Sequence, residues 1–289
     1  EIPSGHFLTR TLFLKSNVNL HLHFGAELLG STDLDSYHKV FPELKGKESP
    51  ALIFARGVAN IAITGSGTIN GQGAHQNFQH GNDSKGGPRR PKIIYFIGCN
   101  NVRVQDVTLR NSAYWTQDYE KCNGVIVRGV KVYSHANWNN DGLDIDSRNV
   151  VVSDCYIDCD DDALCLKSDT DTPCENVTVT NCVLKSNCNA IKFGTSSYSG
   201  VKNVTISNCT IDRASEDHIR QWYKNYPWIG TKHKTVVAGI ALESVDGGII
   251  ENVSISDIAM QGVQTPIFVR LGDRKRTFSK QMSRINDVM

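Results

Sequence analysis

From residue 101 onward one pattern of apolar and polar positions recurs along the chain. It reads Asn101-Val-Arg-Val-Gln-Asp-Val-Thr-Leu, Gly124-Val-Ile-Val-Arg-Gly-Val-Lys-Val, Asn149-Val-Val-Val-Ser-Asp-Cys-Tyr-Ile, Asn176-Val-Thr-Val-Thr-Asn-Cys-Val-Leu, Asn203-Val-Thr-Ile-Ser-Asn-Cys-Thr-Ile and Asn252-Val-Ser-Ile-Ser-Asp-Ile-Ala-Met. Alternation of β-branched and polar residues predicts short half-buried strands. Successive starts lie 23, 25, 27 and 27 residues apart, and the last gap of 49 is expected to hold two coils and an insertion. A period of this length marks a solenoid, whereas a propeller blade needs about 40 residues or more. Strands of one turn then pair in parallel with those of the next, and the asparagines stack at the bends. The predicted fold is all-β, a right-handed single-stranded parallel β-helix, with residues 1–289 as one domain. An N-terminal cap and some C-terminal sequence are expected to be lacking from it, because solenoid ends need capping.

A second skeleton recurs in step with the first. Asp141-Gly-Leu-Asp-Ile-Asp146 aligns with Asp162-Ala-Leu-Cys-Leu-Lys167, Asn189-Ala-Ile-Lys-Phe-Gly194, Ala238-Gly-Ile-Ala-Leu-Glu243 and Thr265-Pro-Ile-Phe-Val-Arg270. Each is expected to be a strand with apolar third and fifth positions turned inward. Asp141 and Asp162 then share one outward column, Asp144 stands beside Cys165 and Lys192 in a second, and Asp146, Lys167, Glu243 and Arg270 occupy a third.

The remaining stretches fit around this coil. Residues 1–30 alternate like strands, residues 31–50 read as a polar loop, and strands return at Ala51 and Asn60. The glycines of Gly65-Ser-Gly-Thr-Ile-Asn-Gly-Gln-Gly73 mark bends rather than a phosphate cradle, since no helical pattern follows. Residues 72–91, rich in Gly, Pro and basic groups, are placed to wall one end of a cleft. Residues 213–235 interrupt the repeat with bases and aromatics, among them His218 and Trp222, which suit contact with sugar rings and their carboxylates.

A formal charge of +1 gives no reason to expect nucleic acid, and no apolar stretch reaches transmembrane length, so no membrane is expected as a partner either. No charged-then-apolar signal segment opens the chain. Nine cysteines is an odd count. Cys155, Cys182 and Cys209 each fall six residues after a repeat-starting asparagine, and Cys99, Cys122 and Cys174 two residues before a repeat start, so mostly free thiols stacked in ladders are expected. The asparagines that match a glycosylation sequon sit mostly at ladder positions and are read as structural.

Chemistry concentrates in Asn139-Asn-Asp-Gly-Leu-Asp-Ile-Asp146 and Asp160-Asp-Asp-Ala-Leu-Cys-Leu-Lys-Ser168. Adjacent rungs lie ~4.8 Å apart, so Asp141 and Asp162 come side by side and Asp161 lies on the diagonal. Like charges so close raise at least one pKa, leaving one carboxyl as acid and another as base. Cleaving a glycosidic bond needs that pair, ~6.5–9.5 Å apart for inversion and ~5–5.5 Å for retention. Stacked carboxylates holding Ca²⁺, as in a pectate-lyase-like enzyme, are an alternative, although no EF-hand spacing appears. A glycan-binding β-helix without catalysis is another.

These motifs together resemble glycoside hydrolase family 28, the polygalacturonase and rhamnogalacturonase family. The resemblance rests on Asn140-Asp141-Gly142 and Asp161-Asp162, on Asn111-Ser-Ala-Tyr-Trp115-Thr116, on residues 65–73 and on Phe7-Leu-Thr with Leu14-Lys-Ser-Asn-Val, and covers nearly the whole chain. It implies inverting hydrolysis of an acidic plant cell-wall polysaccharide or oligosaccharide. Asp161 would be the general acid, and Asp141 and Asp162 would hold and activate water, with no metal or other cofactor. It further implies a secreted or periplasmic protein, expected as a monomer. Substrate contacts are expected at Asn139, Asp144, Lys167, Asn189, Lys192, Arg270, His218 and Trp222. Two departures stand out. The family's Gly-His-Gly falls on Cys188-Asn189-Ala190 and its Arg-Ile-Lys on Ala241-Leu242-Glu243, so the histidine and both cations that grip galacturonate are missing. Lys167, Lys192 and Arg270, on the outward columns, are candidates to replace those cations, with Lys167 alternatively orienting Asp146.

Overall fold

The computed structural model describes residues 1–41, 49–78, 90–216, 236–276 and 281–289. Its strands all pair in parallel and form one continuous stack, the right-handed parallel β-helix that the repeat predicts. The chain visits three strand columns per turn. One column runs through Ala51–Arg56, Lys92–Ile97, the start of Gln117–Arg128, the start of Leu143–Ser153, Leu164–Ser168, Asn189–Ser197, Val236–Ser244 and Val263–Leu271, and it carries the acidic motifs.

Register in this column follows the repeat. Leu143 pairs with Leu164, Leu164 with Ile191, Ile191 with Ile240 and Ile240 with Ile267, so all five copies of the second skeleton align as expected. The inward residues of the first four copies join one apolar core that extends from Leu14 to Val253. Ile267 and Val269 keep the register yet are 63% and 56% exposed, because the next strand, Arg284–Val288, continues only the neighbouring column.

The 49-residue gap is corrected by the pairing. Val204 sits directly beside Val253, so the repeats beginning at Asn203 and Asn252 are adjacent turns. The gap is therefore one coil with an insertion, not two. The long spacings from Asn17 to Asn60 and from Asn60 to Asn101 behave in the same way, because hydrogen bonding between rungs constrains the strands and leaves the loops free in length. Residues 31–50 hold a helix, Leu34–Val40, which buries Ser36 and Tyr37. The sequence reads as loop there because the stretch is polar and punctuated by Pro42, Gly46 and Pro50, and a helix of seven residues is too short to show a clear helical period.

Stacked asparagines mark one bend. Asn17, Asn60, Asn101, Asn149, Asn176, Asn203 and Asn252 all have φ between 52° and 64°, the left-handed region in which asparagine is tolerated better than most residues. Their amides join rung to rung, Asn60 to Asn17, Asn101 to Asn60, Asn176 to Asn149 at 2.9 Å, Asn203 to Asn176 at 3.1 Å and Asn252 to Asn203 at 2.8 Å. Where the repeat has Gly124 instead, Asn123 supplies the amide, donating to Asn100 and accepting from Asn149. All nine cysteines are free, and eight of them are buried. Cys155, Cys182 and Cys209 adjoin in a thiol ladder, as do Cys99 and Cys122.

Replacing Asn176 by Ala removes two amide bonds and forces an alanine into left-handed backbone, so a loss of about 1–3 kcal/mol is expected in denaturant unfolding. Asn176→Gly, which tolerates the backbone, should recover part of that loss. Equal losses for the two variants would show that backbone conformation is not what selects asparagine there.

Candidate active site

The two acidic motifs leave the same strand column at the same end. Asn139, at φ 53°, and the fully buried Asn140 make the turn before Asp141. Asn140 Nδ2 donates to the Ser112 carbonyl at 2.7 Å, and its Oδ1 accepts from the Asn137 amide at 2.9 Å. Gly142 follows because nothing larger fits: a Cβ there would lie 2.3 Å from Ile157 Cγ2 and 2.7 Å from the Ala163 carbonyl oxygen. The Gly142 amide donates to the Asp162 carbonyl at 2.8 Å, which fixes Asp141 beside Asp162.

The columns point away from the apolar core, as expected, but their aspartates are not solvent-exposed. Asp141, Asp144, Asp146, Asp162 and Lys167 are all buried. Lys167 Nζ lies 2.5 Å from Asp144 Oδ1 and 3.2 Å from Asp141 Oδ2, with the Trp115 ring centroid 3.2 Å away. It does not orient Asp146, whose carboxylate instead accepts from the Asp169 amide at 2.9 Å and from Thr170 Oγ1. Lys192 Nζ meets Asp162 Oδ2 at 2.7 Å, and Asn189 Nδ2 meets Asp162 Oδ1 at 2.6 Å. Asp161 is half-buried, accepting from Asn139 Nδ2 at 3.4 Å and from the Asp162 amide at 2.9 Å. Arg270 is 56% exposed in its side chain and 3.9 Å from Glu243. His218 and Trp222 lie outside the described residues.

A cavity of about 510 Å³ opens beside these groups, bordered by Trp138, Asn139, Asp161, Asn189, Glu243 and Phe268 among others. Asn139 and Asn189 thus stand at the cavity and each holds one acid. Asp144, Lys167 and Lys192 do not line it. A ligand oxygen or sulfur from each of Asp161, Asp162 and Cys188 falls within 4.8 Å of the others. Asp162, however, already has Lys192 and Asn189 on its two oxygens.

Electrostatics separates the acids. Burial pushes the Asp141 carboxyl well above the usual carboxylate range, with Asp144 adding to the effect and Lys167 opposing it. Asp144 is pushed up to about 7, again by burial against the pull of Lys167. Burial acts on Asp162 too, but the charge and hydrogen bond of Lys192 together with Asn189 outweigh it and hold this carboxyl below its ordinary value. Burial alone would lower both lysines, and the acids around each more than offset that. One carboxylate of the cluster is therefore kept ionised while its neighbours favour the proton.

Several supporting residues escaped the reading of the sequence. Arg90, buried, donates to the carbonyls of Ala113 at 2.8 Å and Trp138 at 2.6 Å and to Asn139 Oδ1 at 3.4 Å, between the Tyr114 and Trp138 rings. It ties the turn that carries Asn139. Its location in Pro88-Arg-Arg-Pro91 gave no signal beyond a basic loop. Lys92 pairs with Asp118 at 2.5 Å, next to Asp144 in the stack, and lies 4.5 Å from the Trp115 centroid. Trp115 was visible only as part of a motif, and Glu243 only as a member of the third outward column and a replaced cation.

Because Asp144 binds its proton more tightly in the fold than an ordinary aspartate does, its burial lowers stability progressively as pH rises from about 4 to about 7. Asp144→Asn should flatten that fall in thermal unfolding measured across the same window. An unchanged slope would remove Asp144 as its source.

Comparison with known proteins follows the same outline. The family model described as Glycosyl hydrolases family 28 matches residues 1–283. A probable polygalacturonase of Vitis vinifera is 32% identical over 183 residues, covering 59% of this chain and 37% of that protein. The chain thus spans little more than a third of that relative. Among solved structures, a family 28 exopolygalacturonase of Yersinia enterocolitica superposes with a TM-score of 0.75 at 21% identity, over 99% of this chain and 59% of that one. A hyperthermoactive exopolygalacturonase of Thermotoga maritima gives 0.74 at 23% identity, over 99% and 70%. At these identities the superpositions speak for the fold. The family match runs over nearly all of the chain and takes in both acidic motifs, and the chain belongs to glycosyl hydrolases family 28.

Proposed function

We propose that the protein is an inverting glycoside hydrolase acting on pectic polysaccharide or oligosaccharide of galacturonide or rhamnogalacturonan type. The observation that carries the reading is the division of the three aspartates: Asp162 held ionised by Lys192 and Asn189, Asp141 favouring its proton, and Asp161 at the cavity. Asp161 protonates the glycosidic oxygen as the bond to the anomeric carbon breaks. Asp141 and Asp162 hold the water, and Asp162 takes its proton as the water oxygen attacks the opposite face. Asn139 and Asn189 position Asp161 and Asp162 and meet the sugar. Lys167, Asp144 and Lys192 act behind them, keeping the buried charges balanced. The grape relative's name, polygalacturonase, supports a pectic substrate. We assign the protein to a compartment outside the cytoplasm, since its substrate class lies there; among the described residues no helix is long and apolar enough to cross a membrane.

A glycan-binding protein without turnover is the second reading, favoured by the asparagine and glutamate that stand where the family has histidine and lysine. A calcium-dependent lyase is less favoured, because the lysines already neutralise the stacked carboxylates that a cation would need.

Digestion of homogalacturonan and rhamnogalacturonan oligomers in ¹⁸O-labelled water should give saturated, labelled products with or without chelator. Unsaturated, chelator-sensitive products would instead establish the lyase. Asp161→Asn should lower turnover by about 10²–10⁴-fold with binding retained; binding alone in both forms would establish the second reading. Lys192→Met removes the cation that holds Asp162 ionised, so the acid limb of the pH–rate profile should move to higher pH. An unmoved limb would separate Asp162 from the base role.

A further inference from the structure

Among the described residues, the lining of the cavity beside Asp161 is opposite in charge to what a galacturonate unit would need. Its charged lining among the described residues is Asp161 and Glu243, and no lysine, arginine or histidine borders it. Among the described residues, Lys192 is committed to Asp162 at 2.7 Å, and Arg270, outside the lining, stands 3.9 Å from Glu243. Glu243 itself is nine-tenths buried in its side chain, and among the described residues it accepts no hydrogen bond, the Arg270 contact being too long for one. A buried carboxylate without donors is costly unless a ligand supplies them. The remaining walls offer Trp138 and Phe268 at the rim, flat apolar surfaces of the kind that pack on the C–H face of a sugar ring.

We infer that Glu243 sets the sugar specificity of this site: the glycosyl unit occupying the cavity is uncharged, its hydroxyls donating to Glu243 and meeting Asn189, its apolar face against Trp138 and Phe268. A second carboxylate brought against Glu243 would be repelled, so acidic units are excluded from this position. The inference rests on the pectic hydrolase reading and narrows it toward chains that interleave neutral sugars with galacturonate.

The test uses matched oligomers of one linkage, an oligogalacturonide and its carboxyl-reduced counterpart, in which every unit is neutral. The wild-type protein should show a kcat/KM at least tenfold higher on the neutral oligomer. Glu243→Lys should reverse that preference, and the near-isosteric Glu243→Gln should narrow it, with thermal unfolding confirming that both variants fold. On the wild type, added salt should narrow the preference by screening the repulsion. Wild-type preference for the acidic oligomer, or variants that change both substrates equally, would overturn the inference while leaving the hydrolase reading intact. If neither oligomer nor rhamnogalacturonan is turned over, the hydrolase reading fails, and calorimetric binding of the same pair still decides: tighter neutral binding that Glu243→Lys reverses upholds the specificity, and equal binding ends it.

Discussion

Hydrogen bonding between parallel rungs, which locks register at a spacing of ~4.8 Å, is the constraint on which everything else depends. It leaves no freedom to separate Asp141 from Asp162, since the Gly142 amide and the Asp162 carbonyl are partners in the ladder. Two carboxylates so close, each buried, are unfavourable alone. The same register supplies the remedy, because a residue one rung away in a neighbouring column lies within reach. Lys167 on the second rung meets Asp141 and Asp144 on the first, and Lys192 on the third meets Asp162 on the second. Charge is balanced diagonally across turns rather than along the sequence.

That diagonal arrangement also divides the work. A buried acid with one close cation and a buried acid sharing its cation with a second carboxylate do not titrate alike, and the difference arises without any irregularity in the backbone. The aromatic cover matters for the same reason. Trp115 lies over Lys167 and close to Lys92, so the cluster is shielded from water and its interactions keep their strength.

Much of this was legible in the sequence because a solenoid writes its contacts at a fixed period. The apolar positions Leu143, Leu164, Ile191, Ile240 and Ile267 fix the register of five rungs, and the stacking of Asp141 on Asp162 follows from it. Three things were not legible. The length of a loop says nothing about how many turns it spans, so the stretch between Asn203 and Asn252 was miscounted. Long flexible side chains choose among acids at similar range, and only coordinates show that Lys167 takes Asp141 and Asp144 rather than Asp146. Burial of an outward-facing column depends on what loops fold over it, as Arg90, Tyr114 and Trp115 do here, and no periodicity encodes those contacts.

The thiol ladder carries a different consequence. Nine unpaired cysteines, eight of them enclosed in the stack, mean that the coil draws its cohesion from packing and backbone pairing, with no covalent bridge to form or lose. No disulfide has to form or be rearranged as the coil folds, and none is there for a reductant to break. A chain built in this way needs no oxidising compartment for its fold, whichever compartment it works in.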